Sequence, residues 1–211
     1  DLSNNFSIVS EIFQEASDAL GVDLWKIAQE DQEALNLTEN TQPIMLAAGY
    51  ATYKVLSNET ELSPEFMAGH SLGEYSALVA AESLDFFDAV KLVRKRAELM
   101  QSAVPSGSGS MAAILGLDDA KVVEVCTQSS AHGIVEAVNF NSPGQVVIAG
   151  EKEAVTNACE LMKEAGAKRA LLLPVSVPSH CSLMTSASEE FKNSVEDVNF
   201  KMTNTRVIHN V

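Results

Sequence analysis

The spacing of apolar residues in the first part of the chain predicts amphipathic helices. Between residues 6 and 20, apolar side chains recur every three or four positions, and Gly21 follows as a typical helix C-cap. A second helix is expected to begin at Thr41 and Pro43, because proline is favoured in the first turn of a helix. Both segments are typical of helices that bury one face.

The pattern changes near residue 66. A short apolar run at 66–68 is followed by the glycine-flanked sequence 69–73 and by an alanine-rich helical stretch at 74–84. This order predicts a strand, a sharp turn and a helix. A further helix is expected over residues 86–103, where apolar positions again recur at helical spacing.

The Gly/Ser-rich segment 105–110 separates this region from one with a different pattern. That pattern predicts strands at 111–115, 134–140, 145–149 and 169–173, with helices at 118–128 and 152–165. The order β-α-β-β-α-β is that of a ferredoxin-like unit. We therefore expect an α/β protein in which residues 104–177 form an inserted subdomain, while 1–103 and 178–211 form the main body.

Composition and charge narrow the class of protein. The 211 residues are 46% hydrophobic and 20% charged, as in a folded globular protein. Fourteen Lys and Arg against 29 Asp and Glu give a net charge of −15, which argues against nucleic-acid binding. The longest apolar stretch, near residues 44–51, is too short to span a membrane, and we find no secretory leader. Three cysteines without CxxC spacing favour reduced thiols in the cytoplasm and no metal site.

Gly69-His70-Ser71-Leu72-Gly73 matches the G-x-S-x-G nucleophile elbow. The backbone of such an elbow turns so sharply that small residues are needed two positions before and after the serine. The turn exposes the Ser71 hydroxyl, and the Leu72 amide at the helix N-terminus is suited to stabilise an oxyanion. A glycine-flanked turn whose serine merely caps a helix is the alternative.

A serine nucleophile needs a general base, and four histidines are available. His70 is adjacent to the serine, His132 falls in an expected surface turn, and His209 lies near the end of the sequence. His180 follows the point where the chain leaves the predicted insert, so it is the candidate base. Because no acid completes a Ser-His-Asp triad, a backbone carbonyl or a group outside the sequence would orient it. A Cys–His pair with Cys181 is a weaker alternative.

Arg96 lies on an apolar face of the helix at 86–103, together with Leu92, Val93 and Met100. A guanidinium in such a place is costly unless it is paired. A structural ion pair or a side chain extended to solvent would explain it. The functional alternative is that Arg96 binds the carboxylate of an anionic substrate through two parallel N–H donors.

Four segments together resemble one enzyme family. Residues 69–78 (GHSLGEYSAL) are similar to the active-site segment of the malonyl-CoA:acyl carrier protein transacylases of bacterial type II fatty-acid synthesis. Residues 41–43 (TQP), 138–150 (VNFNSPGQVVIAG) and 174–181 (PVSVPSHC) resemble the same family in the same order. The resemblance implies an α/β-hydrolase-like acyltransferase core with an inserted ferredoxin-like subdomain.

The resemblance also implies roles for single residues. Ser71 is the expected nucleophile that takes malonyl from coenzyme A, and His180 is its expected general base. Arg96 matches the arginine that binds the free malonyl carboxylate, and the Leu72 N–H is expected to form half of the oxyanion hole. Three further residues are expected to bind substrate: His70, Met100 and Asn141.

The implied reaction is a ping-pong transfer from malonyl-CoA to the phosphopantetheine thiol of acyl carrier protein, with no cofactor besides the coenzyme A thioester. Family members begin with a Gly-Gln-Gly-Ser-Gln-like loop, whose glutamine lines the oxyanion hole, and they continue beyond the position of residue 211. We therefore expect this sequence to be the central part of the enzyme.

Two other functions remain open from the residues alone. One is a serine thioesterase or esterase with water as the acceptor, and the other is a non-catalytic domain that docks acyl carrier protein. Docking an acidic carrier protein on an acidic chain requires a local basic patch. The candidates are two clusters: Lys91, Arg94 and Lys95, and Lys163, Lys168 and Arg169.

Overall fold

The computed structural model describes residues 2–175 and 177–209, and the chain divides into two compact units. Unit 1 contains the residues up to Glu98 and those from Phe191 onward, and unit 2 is Leu99–Glu190. Both units contain helices and strands, so the predicted α/β class is confirmed. Within the described residues, none of the helices has the length and the apolar composition needed to cross a lipid bilayer.

The elements lie in the following places along the chain. The helices are α1 (Leu2–Asn5), α2 (Ser7–Leu20), α3 (Leu24–Glu30), α4 (Gln32–Leu35), α5 (Thr38–Glu59), α6 (Gly73–Ala80), α7 (Phe86–Ser102), α8 (Asp119–Ser129), α9 (Lys152–Glu164) and α10 (Thr185–Glu196). The strands are β1 (Phe66–Ala68), β2 (Gly109–Leu115), β3 (Val135–Ser142), β4 (Gln145–Glu151), β5 (Arg169–Leu172) and β6 (Arg206–Ile208).

The core of unit 1 is built from the apolar faces of α2, α5 and α7. The predicted face of α2 supplies Val9, Ile12 and Phe13, which are all buried. Gly21 ends this helix in the left-handed region at φ 66°, which confirms the predicted C-cap. β1 and β6 form a two-stranded parallel sheet, and β6 was not predicted from the sequence.

The start of α5 differs from the prediction. The helix begins at Thr38, so Pro43 lies inside it rather than in its first turn. The Leu37 carbonyl accepts the N–H groups of Asn40 and Thr41, and these bonds start the helix more than one turn before the proline. Proline has no N–H to donate to the Glu39 carbonyl four residues before it, and Arg94 Nη1 donates to that carbonyl at 3.3 Å.

The end of α6 also differs from the predicted helix at 74–84. The helix stops at Ala80, and Glu82 follows with a left-handed φ of 61°. The N–H groups of Ser83 and Leu84 both donate to the Leu78 carbonyl. This closing pattern satisfies carbonyl groups at the helix end and ends the helix without a glycine.

Unit 2 contains a four-stranded antiparallel sheet with the strand order β3-β4-β2-β5. All four strands and both helices predicted between residues 111 and 173 are confirmed, with boundaries shifted by a few residues. An apolar core that includes Ile114, Val146 and Ile148 joins the sheet to α8 and α9. The opposite side of the sheet carries a second apolar cluster that includes Met111 and Val147.

Candidate active site

The elbow connects β1 to α6 in unit 1. Ser71 has a φ of 54°, in the left-handed region that residues other than glycine rarely adopt. The His70 carbonyl accepts the Gly73 N–H at 2.9 Å, and the Ser71 carbonyl accepts the Glu74 N–H at 3.2 Å. The turn therefore holds the serine in a strained conformation at the start of a helix, as the motif predicts.

The two glycines of the elbow are not equivalent. A Cβ atom on Gly69 would collide with the backbone of Gly73 and Glu74. A Cβ atom on Gly73 would meet nothing within 4 Å. The prediction that both positions need small residues is therefore correct for Gly69, whereas the structure shows no steric reason at Gly73.

Arg96 reaches the elbow from α7. Its Nη2 donates to Ser71 Oγ at 3.1 Å, and its Nη1 donates to Gln42 Oε1 at 2.6 Å. Both acceptors are neutral, so these bonds hold the guanidinium without neutralising its charge. Burial lowers the pKa of Arg96, while Tyr75 and Glu74 act in the opposite direction. An arginine remains protonated at neutral pH, so the site contains a desolvated positive charge beside the serine.

Gln42 is a site residue that was not predicted from the sequence. It lies in α5, where the residue is 7% exposed, next to the buried Pro43 and Ile44. A buried amide needs hydrogen-bond partners, and Arg96 supplies one. The signal in the sequence was a polar residue on the apolar face of a helix.

Leu72 and His70 take different places around the serine. The Leu72 side chain is buried in the core of unit 1, and Leu72 is the N-cap of α6. His70 is exposed and lines a cavity of about 300 Å³ with Ala68, Gly69, Ile208 and His209. The structure thus brings Ser71, Leu72, His70 and Arg96 together within unit 1.

His180 belongs to unit 2, where it is exposed and has a left-handed φ of 69°. The segment around it is anchored on both sides. The Cys181 Sγ lies 3.1 Å from the Pro178 carbonyl oxygen, and the N–H and hydroxyl of Ser182 donate to the Glu136 carboxylate at 2.8 and 2.6 Å. Burial raises the pKa of the Cys181 thiol, which disfavours the thiolate that a Cys–His pair would need.

The other two predicted substrate-binding residues are also in unit 2. Met100 lies near the C-terminal end of α7 in a small apolar cluster with Val104, Val177 and Met184. Asn141 is exposed near the end of β3. Met100 is thus part of a core, whereas Asn141 is accessible.

The two basic clusters differ in how their charges are used. Arg94 pairs with Glu98 at 2.7 Å and with Glu39 at 3.4 Å, so its charge is largely balanced within unit 1. Lys91 lies over the Phe87 ring, with its Nζ 4.1 Å from the centroid. The second cluster is exposed in unit 2: Lys163, Lys168 and Arg169.

Comparisons with known proteins agree with this geometry. Residues 9–210 match the model of the acyl transferase domain family. The malonyl CoA-acyl carrier protein transacylase of Haemophilus influenzae is 54% identical over the whole chain, which covers 68% of that protein. The Escherichia coli K12 protein of the same name is 52% identical, and the chain covers 69% of its length.

Solved structures of malonyl transacylases are also similar to this chain. A malonyl-transacylase in complex with a type II polyketide acyl-carrier protein has a TM-score of 0.97 and 50% sequence identity to this chain. The match covers 100% of this chain and 69% of the chain of that structure. FabD from Acinetobacter baumannii has a TM-score of 0.95 and 55% sequence identity, and the match covers 100% of this chain and 67% of the FabD chain. The chain therefore belongs to the acyl transferase domain family and, within it, to the malonyl CoA-acyl carrier protein transacylases.

Proposed function

We propose that this protein transfers a malonyl group from malonyl-CoA to the phosphopantetheine thiol of an acyl carrier protein, through a malonyl-serine intermediate, in fatty-acid biosynthesis. The observation that carries this proposal is the 3.1 Å hydrogen bond from Arg96 to Ser71. It places an anion-binding group directly at the expected nucleophile. A hydrolase for uncharged esters has no use for a desolvated guanidinium at this point.

In the proposed first half-reaction, Ser71 Oγ attacks the thioester carbonyl of malonyl-CoA while His180 accepts the hydroxyl proton. The Leu72 N–H donates to the oxyanion that forms on the carbonyl oxygen. When the intermediate collapses, the C–S bond breaks and His180 returns the proton to the departing coenzyme A sulfur. The product is a malonyl ester on Ser71.

In the second half-reaction, the phosphopantetheine thiol of the carrier protein gives its proton to His180 and attacks the malonyl ester. The C–O bond to Ser71 then breaks, and His180 protonates the serine oxygen. Each half-reaction uses the same serine and histidine, so no further cofactor is needed.

Arg96 selects the acyl group in this proposal. Its bonds to Ser71 and Gln42 orient the guanidinium before substrate arrives. The free carboxylate of malonyl is a better acceptor than a neutral hydroxyl, because hydrogen bonds between charged groups are stronger and can form in pairs. We assign the remaining substrate contacts to His70, Met100 and Asn141. Met100 would contact the substrate from its apolar cluster.

We further propose that residues 1–103 and 178–211 form an α/β-hydrolase-like core and that residues 104–177 form an inserted ferredoxin-like subdomain. The β-α-β-β-α-β order and the antiparallel strand order β3-β4-β2-β5 support the second assignment. A cytoplasmic location remains a prediction, which the three free cysteines support.

Intact-mass spectrometry of the full-length enzyme tests the proposed function. After brief exposure to malonyl-CoA, we expect a malonyl adduct on the wild-type enzyme and none on Ser71→Ala. Holo acyl carrier protein should discharge the adduct. Discharge at the same rate without carrier protein would instead indicate a hydrolase, and the absence of an adduct on the wild type would contradict the proposal.

A further inference from the structure

His209 lies at the elbow although it is far from Ser71 in the sequence. β6 runs parallel to β1 with Ile208 opposite Ala68, so the two strands end at the same edge. The residue that follows β6 therefore lies beside the residue that follows β1, which is Gly69. His209 lines the cavity of about 300 Å³ at this edge.

His209 contacts the helix that carries the nucleophile at its start. Its Nδ1 lies 2.6 Å from Oε1 of Glu74 in the first turn of α6. An ionised carboxylate only accepts hydrogen bonds, so the imidazole nitrogen is the donor. The Glu74 N–H in turn donates to the Ser71 carbonyl. His209 thus fixes the side chain of a residue whose backbone is part of the elbow.

Glu74 is also an anionic neighbour of Arg96. The Arg96 guanidinium carbon lies 5.9 Å from the centroid of the ring of Tyr75, the residue that follows Glu74. Arg96 also donates to the hydroxyl of Ser71, whose carbonyl accepts the Glu74 N–H. In line with this proximity, burial lowers the pKa of Arg96, whereas Tyr75 and Glu74 raise it. The hydrogen bonds of Arg96 nevertheless go to Gln42 and Ser71. A carboxylate that acts on Arg96 from within the protein competes electrostatically with a carboxylate that arrives on the substrate.

We propose that His209 is a positioning residue that holds the Glu74 carboxylate and thereby keeps Arg96 available for the carboxylate of the substrate. The proposal rests on the proposed function, in which Arg96 binds malonyl. His209 touches neither the acyl group nor the reacting atoms in this scheme. It acts on acyl selectivity through Glu74, and its loss weakens binding of an acidic acyl group without changing the chemical step.

Steady-state kinetics of the full-length enzyme with holo acyl carrier protein test this role. We measure kcat and KM for malonyl-CoA, and the inhibition constant of acetyl-CoA, which lacks the carboxylate. His209→Ala should raise the KM for malonyl-CoA about three- to fivefold, as expected for the loss of one partly exposed hydrogen bond. The kcat and the acetyl-CoA inhibition constant should stay unchanged.

Two rescue variants separate this role from a structural one. His209→Asn retains a side-chain N–H donor for Glu74 and should restore the KM. Combining His209→Ala with Glu74→Gln should restore it as well, because the competing charge is removed. Lys192→Ala is the control: it breaks the exposed 3.9 Å pair with Glu196 in α10 and should change no constant.

The outcomes distinguish this proposal from the proposed function. An equal change for acetyl-CoA, or failure of both rescues, would overturn the role of His209. Arg96→Ala serves as the test of the carboxylate clamp in the same assay, with an expected loss of malonyl preference of about 10²-fold. If Arg96→Ala loses this preference while His209→Ala has no effect, only the His209 role is wrong. If Arg96→Ala keeps the preference, the clamp itself is wrong.

Discussion

The two units differ in their buried polar side chains. In unit 1, the buried side chains of Asn40, Gln42 and Ser83 all take part in hydrogen bonds. In unit 2, Ser129 is fully buried, and its hydroxyl has no hydrogen-bond partner among the residues that the structure describes. Unit 1 therefore uses part of its interior for polar contacts, whereas unit 2 is built from apolar clusters on both sides of a sheet.

This difference indicates that the two units contribute differently to the proposed reaction. The polar contacts of unit 1 hold a charged side chain, Arg96, at the elbow. The residues of unit 2 with proposed chemical roles include exposed positions outside its sheet core, such as Asn141 and His180. Substitutions that remove the polar contacts around Arg96 in unit 1 should therefore change acyl transfer and selectivity, and most substitutions in unit 2 should not. His180, Met100 and Asn141 are the proposed exceptions.

The largest expected effect is that of His180→Ala. Loss of the proposed general base should slow formation of the malonyl-enzyme about 10²–10⁴-fold in a single-turnover experiment. His132→Ala removes another exposed histidine of unit 2 and should leave the rate unchanged. Acylation of His180→Ala at the wild-type rate would show that unit 2 supplies no general base. Unit 1 would then contribute a larger share of the reaction than we propose.

His180→Gly separates the side chain from the backbone. Glycine adopts a φ of 69° without strain, so this variant should be more stable to denaturant than His180→Ala by about 1 kcal/mol. It should be equally slow in acylation. Recovery of activity in His180→Gly would mean that backbone conformation, rather than the imidazole, is what the reaction needs.

The next effect concerns the elbow in unit 1. Gly69→Ala should destabilise the protein by about 1–3 kcal/mol and lower activity, because its Cβ collides with the backbone of Gly73 and Glu74. Gly73→Ala is the matched control, with open space for a Cβ, and should leave the unfolding free energy nearly unchanged. Urea denaturation measures both. Equal destabilisation by the two variants would contradict the steric difference between Gly69 and Gly73.

The smallest effect is expected at the exposed basic cluster of unit 2. Replacing Lys163, Lys168 and Arg169 together by Gln should raise the KM for holo acyl carrier protein about three- to tenfold, because these charges attract an acidic partner. The KM for malonyl-CoA should not change. Lys91→Gln in α7 is the control, since the first cluster is engaged within unit 1. A change in the malonyl-CoA KM would instead give this basic cluster a part in binding the acyl donor.

Local patterns in the sequence predicted much of the fold. Helical spacing located α2 and α7, and alternating short segments located the strands and helices of unit 2. These predictions succeed because apolar periodicity follows directly from burying one face. The predicted start of α5 and the predicted end of α6 were wrong. Hydrogen bonds to the Leu37 and Leu78 carbonyls determine these two boundaries, and such bonds leave no periodic signal in the sequence.

The sequence by itself also determined the strained elbow at Ser71 and the unusual place of Arg96 on an apolar face, since each is visible as a local departure from an ordinary pattern. Only the tertiary structure decided what surrounds them. Gln42 bonds to Arg96 because α5 and α7 pack together, and His209 reaches Glu74 because β6 pairs in parallel with β1. Such contacts join residues far apart along the chain, and their cause is the packing of whole elements rather than any local pattern.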